Sequence, residues 1–527
     1  MSLLKGDHMR SLYFTKDHDM FRNTVRQFVE KEVVPHAEEW EKNQRIPRSI
    51  WNRMGGLGFL GISYPDKYGG TGADFFYSVV FLEEIPRSTM GGFAAAVSVH
   101  EYMAEEYVYR FGSEELKQNY LIPAIQGKKI GALAVTEPNT GSDVAAIRTR
   151  AIRQGDHYII NGSKTFITNG VFGDFVIVAA KTDPEAGTGG ISLIIVEHGT
   201  PGFSARQLHK MGWHSSDTGE LTFEDVRAPV ANRIGEENRG FYYIMECFQL
   251  ERLVGAIGAI GGAFLGLEST LRYIKERQAF NRPLAKFQVI RHALADLKTE
   301  LEAARQLTYY TAWLHSQGEL AVDFSSMAKL LTSELAKKTA DVCLQFFGGY
   351  GYMDEYLISR MYRDVRVGTI VGGTSEIMRE IISRIMIDQV DYQPVQERKD
   401  KKKETPLASA KEEAGIPTLQ TAAEILQSLP KRFLPEKASD WETVLHFDIS
   451  GPEGGQFTVT IRRGQCTVVP GLAGEAKCTV MVPDKTYQDI ELGRIKPEAA
   501  FMTGKIKMTD MAEMMQFTRM FRRFSKS

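Results

Sequence analysis

The chain of 527 residues contains few cysteines and carries almost no net charge. Its four cysteines, at 247, 343, 466 and 478, are too few and too scattered for a disulfide framework or a C-x-x-C metal site. We therefore expect no metal and a reducing, cytoplasmic compartment. Sixty-four basic and 66 acidic side chains leave a net charge of −2, which argues against nucleic acid held by bulk charge, although a local basic patch could persist.

Long apolar runs are also missing. The first ten residues, MSLLKGDHMR, lack the apolar stretch of about seven or more residues that a secretory signal requires. The longest weakly polar run, Leu253 to Leu267, includes five glycines and is flanked by charged residues. As a helix it would span roughly 22 Å, less than the apolar core of about 30 Å, so we expect no membrane-spanning segment.

The hydrophobic pattern predicts several domains, as the chain length also does. Phe21, Val25, Phe28 and Val29 recur at helical spacing in residues 1–130, which indicates an N-terminal helical domain. Residues 131–240 change to short β-branched runs, and residues 241–393 return to helical periodicity, with apolar side chains at 264, 267 and 271. This order predicts an α+β body of three parts.

Three strands are predicted in the middle β domain. Tyr158 to Ile160 is apolar and runs into Asn161-Gly162, a typical turn pair, so we expect this strand to end there. Phe175 to Ala179 and Ile191 to Val196 are the other two candidates.

The C-terminal part of the chain is predicted to be separate. Residues 394–417, rich in Lys, Glu, Ala and Pro, are expected to form a solvated linker or else an exposed charged helix. In residues 418–527, apolar and polar residues alternate in three segments, which predicts strands with one buried face. The run Gly451 to Gly455 indicates a hairpin turn between the first two. A methionine-rich helix follows, suited to core packing or to a lipid cavity, and core packing is favoured (Met508, Met511, Met514, Met515 and Met520).

Several polar and glycine-rich segments contain residue types that are suited to ligand binding. The segment 135–143, VTEPNTGSD, combines hydroxyls, a Pro-fixed bend and a glycine that allows close backbone approach to an anion or a flat polar ring. Taken alone, it could equally be a turn with a helix cap. Phe166 beside Thr168 offers an aromatic face and a hydroxyl for a heterocycle. Arg277 is a candidate ligand for a pyrophosphate oxygen.

Six segments in order resemble the acyl-CoA dehydrogenase family, across roughly residues 15 to 390: VTEPNTGSD, FITNG, RQAFNRPLAKFQ, QFFGGYGY, RDVRVGTI and GGTSEIMRE. The resemblance implies N-terminal helices, a middle β domain, a C-terminal four-helix bundle, a homotetramer and FAD as cofactor. It places the flavin ring and ribityl chain on Val135, Thr136, Gly141, Ser142, Phe166 and Thr168. A neighbouring subunit would hold the ADP part with Arg277, Phe280, Gln288, Gln345, Gly348 and Gly349, and Thr374 and Glu376 would lie near the pyrophosphate and adenosine.

Two positions depart from the family pattern. Phe166 stands where Trp is common, which preserves an aromatic face. Gly372 stands where much of the family has its catalytic Glu, so a side-chain base is impossible there. Cys247 to Leu253 resembles the isovaleryl-CoA and long-chain acyl-CoA dehydrogenases, in which the Glu of a Leu-Glu-Arg sequence is the base. That resemblance assigns the base to Glu251, whereas the simpler alternative is a solvated helix residue or a partner of a nearby Arg.

The same resemblance implies the substrate contacts and an oxyanion-type donor. The Gly372 backbone N–H would face the thioester carbonyl and stabilise the developing enolate. Glu251, Gly255, Gly258 and Gly262 fall on one helix face, where small residues would allow either close helix contact, which we favour, or an acyl groove. Further substrate contacts are implied at Ser142, Tyr242, Gln249, Arg252 and Gly373.

Residues 497–510, PEAAFMTGKIKMTD, together with the strands before them, resemble sterol carrier protein type 2. That family has a small α/β fold, a five-stranded sheet with helices around a tunnel for acyl chains or sterols. The resemblance implies a domain that binds lipid without catalysis, and the alternative is a purely structural or assembly domain.

Together these resemblances predict an acyl-CoA dehydrogenase that passes electrons to electron-transfer flavoprotein and carries an appended lipid-binding domain. An acyl-CoA oxidase that uses oxygen is an alternative that no residue here separates. A non-catalytic acyl-CoA or lipid carrier is a second alternative, disfavoured by the intact flavin segments and Glu251.

Overall fold

The computed structural model describes residues 12–388, 421–438, 441–492, 494–495, 500 and 504–522. These residues divide into two units between Glu380 and Ile381. The predicted linker, residues 394–417, lies outside the described residues, and the predicted domain boundaries stay predictions.

The N-terminal part of the first unit is helical, as predicted. Its first helix begins at a capping box, in which the Thr15 hydroxyl accepts the His18 N–H and the Thr15 N–H donates to the His18 ring. Val25 and Phe28 are buried on the predicted apolar face. The helices are α1 (Lys16–Phe28), α2 (Ala37–Asn43), α3 (Arg48–Gly56), α4 (Phe75–Glu84), α5 (Gly91–Val99), α6 (Glu105–Phe111), α7 (Glu114–Leu116) and α8 (Ile122–Ile125).

The middle part is one mixed sheet of eight strands. The predicted strands at 175–179 and 191–196 are confirmed, each slightly longer than expected, and both are almost fully buried. The strands are β1 (Gly131–Ala134), β2 (Arg150–Gln154), β3 (His157–Thr168), β4 (Phe175–Lys181), β5 (Ile191–Glu197), β6 (Phe203–Gln207), β7 (Thr218–Pro229) and β8 (Arg233–Ile234). Their order is β6-β7-β3-β2-β4-β5-β8, and β1 pairs in parallel with β4.

The predicted turn at Asn161-Gly162 is wrong. β3 continues through both residues to Thr168, with a register shift against β7 between Ile160 and Gly162. The Asn161 side chain donates to Asp225 and accepts its backbone N–H, both at 2.9 Å. A Cβ at Gly162 would lie 2.6 Å from the Thr149 hydroxyl, so this glycine allows close strand approach at a bulge.

The C-terminal part of the first unit is built around one long helix, α9 (Gly240–Glu276). Among the described residues it alone is long and apolar enough to cross a membrane, but 67% of its most apolar window is buried inside the protein. It packs against α4 and two later helices, so it is a core helix that extends well beyond the predicted apolar run. A hairpin follows, β9 (Gln278–Ala279) and β10 (Arg282–Pro283), then α10 (Gln288–Ser316), α11 (Val322–Phe347) and α12 (Leu357–Val365). The next helix, α13 (Ser375–Asp388), begins in the first unit and ends in the second.

The second unit contains a five-stranded sheet, and the three predicted alternating segments are strands with one buried face. The hairpin turn at Gly451–Gly455 is confirmed by antiparallel pairing across it. The third predicted strand pairs in parallel with the first, and a fourth, largely exposed strand precedes it, which alternation did not predict. The strands are β11 (Thr443–Ser450), β12 (Gly455–Arg462), β13 (Gln465–Pro470), β14 (Cys478–Pro483) and β15 (Lys507–Met508).

Short helices flank this sheet. The methionine-rich helix is the last of them, but it is shorter than predicted, because Met508 lies in a strand and Met520 directly follows the helix. Met514 and Met520 are buried, which agrees with core packing. The helices are α14 (Ala422–Gln427), α15 (Leu429–Arg432), α16 (Pro435–Ala438), α17 (Asp484–Glu491) and α18 (Met511–Arg519).

Candidate active site

Glu251 is a buried carboxyl group on α9, the central helix of the first unit. It is 8% exposed, so the simple alternative of a solvated helix residue is wrong. Burial raises its pKa to about 7, against the opposing effects of a hydrogen bond from Tyr107 and the charge of Arg252. A carboxyl group with a pKa near neutrality can take up and release a proton under physiological conditions, which a general base requires.

Two side chains contact or face this carboxyl group. Tyr107 of α6 is fully buried, and its hydroxyl donates to Glu251 Oε1 at 3.1 Å. Arg252 is also buried; burial lowers its pKa to about 10, and Glu251 raises it in part. The Arg252 guanidinium donates to the Gln249 side chain at 3.3 Å, so two of the predicted substrate contacts lie together beside the predicted base.

The loop with Gly372 and Gly373 is tied to this region through Lys329 of α11. The buried Lys329 ammonium donates to the Gly373 carbonyl. Burial lowers the Lys329 pKa to about 8, and the charge of Arg252 lowers it further. Gly372 has a φ of +63°, and nothing lies within 4 Å of where its Cβ would be. The position that carries the base in much of the family is therefore open and has no side chain.

The predicted flavin segment 135–143 lies alongside the end of β3. The Thr165 N–H donates to the Thr136 carbonyl at 2.9 Å, which places Val135 and Thr136 beside the 166–168 segment. Phe166 has a φ of +62° and is 70% exposed. A left-handed bulky residue costs free energy and is typically kept where a function requires it, so the exposed ring is a candidate stacking face. Gly141 and Ser142 are exposed nearby in sequence, and Thr168 is half-buried.

A buried ion pair, which the sequence reasoning missed, supports this loop. The Lys164 ammonium lies 2.9 Å from Glu137 Oε1 and donates to the Val135 carbonyl at 3.0 Å. Glu137 also accepts the backbone N–H groups of Arg148 and Thr149, at 2.6 and 2.9 Å. Burial lowers the Lys164 pKa to about 8. The pair fixes the backbone that would approach a cofactor.

The residues predicted to bind the ADP part form a second cluster at the hairpin β9–β10 and the end of α11. The Arg277 guanidinium lies 5.2 Å from the Tyr350 ring centre. The Tyr273 and Phe347 rings stack with their centres 4.1 Å apart. These contacts hold the hairpin region against the segment that contains Gly348 and Gly349. Phe280 is 89% exposed with a φ of +51°. All six predicted residues of this cluster are exposed (Arg277, Phe280, Gln288, Gln345, Gly348 and Gly349).

Thr374 and Glu376 lie at the start of α13, where backbone N–H groups suit an anion. The Thr374 hydroxyl accepts the Ile377 N–H at 3.3 Å. The remaining predicted substrate contact, Tyr242, is buried in the first turn of α9 with its ring edge-on to Phe241.

The glycine face of α9 is open beside Glu251. Nothing lies within 4 Å of a Cβ built at Gly255 or Gly258, and the nearest atom at Gly262 is a Pro86 carbon at 3.8 Å. Within this chain the favoured expectation of close helix packing is therefore wrong at Gly255 and Gly258, whereas a Cβ at Gly262 would be in ordinary contact with Pro86. The close contact is at Gly261, where a Cβ would lie 2.5 Å from the Glu83 carbonyl.

Comparison with known families covers nearly all described parts of the chain. Residues 15–128, 132–226 and 238–387 match the N-terminal, middle and C-terminal domains of acyl-CoA dehydrogenase. The chain belongs to the acyl-CoA dehydrogenase family. It is therefore an oxidoreductase that acts on the CH–CH group of acyl-CoA thioesters, and residues 423–522 match the SCP-2 sterol transfer family.

Named acyl-CoA dehydrogenases are similar over the same share of the chain. The long-chain specific acyl-CoA dehydrogenase of Sus scrofa mitochondria is 43% identical over 377 residues, 71% of this chain and 87% of that protein. The acyl-CoA dehydrogenase of Bacillus subtilis is 40% identical over 71% of this chain and 99% of its own length. The crystal structure of acyl-CoA dehydrogenase from Geobacillus kaustophilus is 44% identical, with a TM-score of 0.69, and covers 72% of this chain and all of that one.

Three contacts of this acyl-CoA dehydrogenase join residues that are far apart in the sequence. Tyr107 and Glu251 are 144 residues apart, Lys329 and Gly373 are 44 apart, and Lys164 and Glu137 are 27 apart. None of these separations follows from strand or helix periodicity. Only the buried Lys164, at an inward position of β3, could have suggested a paired internal charge.

Proposed function

We propose that this enzyme oxidises long-chain acyl-CoA thioesters to trans-2-enoyl-CoA with FAD, and that Glu251 is the base. The observation that carries the proposal is a buried Glu251 with a pKa near neutrality, combined with a bare Gly372 at the family's other base position. Long acyl chains are favoured by the open face at Gly255 and Gly258 and by similarity to long-chain specific relatives.

The residues of this chain fit a flavin. Phe166 presents a free aromatic face, the buried Glu137–Lys164 pair fixes the loop beside it, and Gly348 and Gly349 have no atom within 4 Å of a Cβ. The ring and ribityl ligands would come from the 135–142 and 166–168 segments. The exposed cluster around Arg277 would complete the site of a neighbouring subunit.

FAD and the protein would carry out different parts of the oxidation. FAD, when bound, supplies a two-electron acceptor for the hydride that leaves the β-carbon. Glu251 takes the α-proton and becomes a neutral carboxylic acid, while the α C–H electron pair forms the new double bond. The Gly372 N–H would stabilise charge on the thioester oxygen, and Lys329 would hold that loop in place through the Gly373 carbonyl.

Other protein groups would bind or orient the substrate. Arg252 and Gln249 flank the base within one turn of α9 and are already in contact with each other. Because Arg252 is buried, water does not compete with the substrate for its charged N–H donors. Ser142, Tyr242 and Gly373 stay predicted contacts.

The assembly and the electron acceptor are also proposed. A homotetramer is proposed from the family membership, and the exposed side chains of Phe280, Val289 and Tyr352 offer apolar surface for an interface between subunits. Electron-transfer flavoprotein is proposed as the acceptor from the family membership. A cytoplasmic location stays a prediction, supported by four buried cysteines that form no disulfide.

The test of the function is the visible spectrum of the purified enzyme under anaerobic conditions. We expect bound-flavin absorbance that palmitoyl-CoA bleaches, with weaker bleaching by butyryl-CoA. Rapid recovery of the absorbance in air, without electron-transfer flavoprotein, would identify an oxidase instead. A colourless protein that still binds acyl-CoA would identify a non-catalytic carrier.

The appended sterol-carrier-like domain is proposed to bind acyl chains and supply them to the dehydrogenase. Tethering raises the local ligand concentration to the millimolar range for short flexible linkers, which matters most for poorly soluble substrates. Truncation after Asp391 should therefore raise the apparent KM for palmitoyl-CoA several-fold and leave that for butyryl-CoA unchanged.

The matched measurement is binding of a fluorescent fatty acid to the full chain and to the truncated chain. We expect the full chain to bind one additional ligand. Equal palmitoyl-CoA KM values and equal fatty-acid binding would instead assign the domain a structural or assembly role.

A further inference from the structure

The base receives its hydrogen bond from the N-terminal helices, although it lies on the C-terminal helix α9. Tyr107 of α6 donates to Glu251 Oε1 at 3.1 Å, and within the described part of the chain no other hydrogen bond reaches this carboxyl group. Both side chains are buried, so water does not compete strongly for either partner. One carboxyl oxygen is thus engaged and the other is left for the substrate.

The helix that carries Tyr107 is fixed against the first turns of α9. Arg110, one turn further along α6, pairs with Glu246 and approaches the Cys247 sulfur at 3.8 Å. The Phe111 and Tyr243 rings stack with their centres 4.1 Å apart. These contacts join the turn of α6 that follows Tyr107 to the turns of α9 that precede Glu251, so they restrict movement of the Tyr107 hydroxyl away from the base.

We propose that Tyr107 is a positioning residue for the dehydrogenation, because its hydroxyl holds one oxygen of Glu251 so that the other faces the substrate α-carbon. The inference rests on the proposed role of Glu251 as base. No proton passes through Tyr107 in this proposal: the α-proton moves to the free oxygen of Glu251, and the tyrosine stays protonated.

The hydrogen bond also has a consequence for the pH dependence. Burial raises the Glu251 pKa, while the Tyr107 hydrogen bond and the Arg252 charge lower it. From the other elements, Lys329 of α11 faces Arg252, and Tyr107 itself faces Arg110 and Cys247. Removal of the hydroxyl should therefore raise the Glu251 pKa above its present value of about 7, by roughly one unit for a hydrogen bond to a charged group.

The test is Tyr107→Phe, which keeps the ring and removes the hydroxyl. Since the base must be ionised to act, the rising limb of the pH profile for flavin reduction should move up by about one pH unit. Per bound flavin, we expect reduction by palmitoyl-CoA to be slower than in the native enzyme at both pH 6 and pH 9, because the base is less well oriented, with a further loss of roughly tenfold at pH 6 that is absent at pH 9. A merely structural role would lower the rate by a similar factor at both pH values.

A second readout does not depend on turnover. The infrared difference spectrum between each protein and its Glu251→Gln counterpart isolates the Glu251 carboxylate band, whose pH titration gives the pKa directly. We expect the midpoint to be higher in the Tyr107→Phe background. Equal midpoints, together with an unshifted pH–rate profile, would overturn the proposal.

The control is Tyr109→Phe, on the same helix, whose ring packs on Tyr64 and does not reach the base. It should leave the profile unchanged, and a shift as large as that of Tyr107→Phe would overturn the proposal. Glu251→Gln separates the two claims. If Glu251→Gln is inactive and Tyr107→Phe is unshifted, only the positioning role fails, whereas an active Glu251→Gln means that the proposed function of Glu251 fails first.

Discussion

Replacement of Glu251 by Gln should leave a flavin-loaded enzyme that binds acyl-CoA but reduces its flavin at least about a thousandfold more slowly. The amide has nearly the same shape as the carboxylic acid and can still accept the Tyr107 hydrogen bond. It cannot take the α-proton, so the loss should appear in the chemical step and not in binding. Stopped-flow reduction by palmitoyl-CoA under anaerobic conditions measures it.

The matched control for this variant is Glu276→Gln, an exposed carboxylate at the end of the same helix. It should reduce its flavin at the native rate, because its side chain is in solvent. If Glu251→Gln also reduced its flavin at near-native rate, another base would have to be sought among the residues near Gly372.

Replacement of Lys164 by Met should strongly destabilise the dehydrogenase unit. The change leaves Glu137 as an unpaired carboxylate in a buried site, and removal of one partner of a buried pair typically costs about 3–5 kcal/mol. The Val135 carbonyl also loses its hydrogen-bond donor, so the predicted flavin segment 135–143 is held less firmly. We expect a lower denaturant midpoint and a lower flavin content, measured from the ratio of visible to ultraviolet absorbance.

Two further variants test whether the unpaired charge causes the loss of stability. Lys164→Met combined with Glu137→Gln should recover much of the stability, because the neutral amide can still accept the backbone N–H groups of Arg148 and Thr149. Lys128→Met, at an exposed lysine, should be close to neutral. If the double variant were no more stable than Lys164→Met, the loss would come from packing and not from the unpaired charge.

The sequence predicted the three-part body and the small appended domain because both depend on local periodicity and on long ordered motifs. Alternation identified β11, β12 and β14, whose inward residues are all buried. It missed β13, since only one side chain of that strand, Cys466, is buried and no clear pattern results.

The two predictions that proved wrong, a turn at Asn161-Gly162 and close packing on the glycines of α9, also depended on contacts between distant parts of the chain. Asn161-Gly162 is a strong turn pair, but here a cross-strand Asn161–Asp225 contact and close approach to Thr149 turn it into a bulge within a strand. The glycines of α9 share a face by helix geometry, yet whether a neighbour fills that face depends on tertiary packing, which spacing cannot show.

The candidate site was predictable only where residues are close in sequence or belong to a motif. Glu251, Gln249 and Arg252 fall in one turn of α9, so a local motif sufficed. The groups that tune and hold the site come from other elements: Tyr107 from α6 and Lys329 from α11. Their roles follow from burial and from hydrogen bonds that only the folded chain creates.

The claim that the base stands at position 251 instead of position 372 can be tested with one double variant, compared with the corresponding single variant. Glu251→Gly combined with Gly372→Glu would place the carboxylate at the family's other position. A Cβ at Gly372 meets nothing within 4 Å, so there is space for the side chain, although its φ of +63° is strained for any residue but glycine. Partial recovery of flavin reduction is therefore expected, relative to Glu251→Gly alone.

The most direct measurement is exchange of the substrate α-hydrogens with D₂O, followed by mass spectrometry. An acyl-CoA analogue with sulfur in place of the β-carbon cannot lose a hydride, so exchange reports removal of the α-proton alone. The native enzyme should catalyse exchange, Glu251→Gln should not exceed the rate without enzyme, and the double variant should regain part of it. Exchange by Glu251→Gln at the native rate would contradict the assignment of Glu251 as the base.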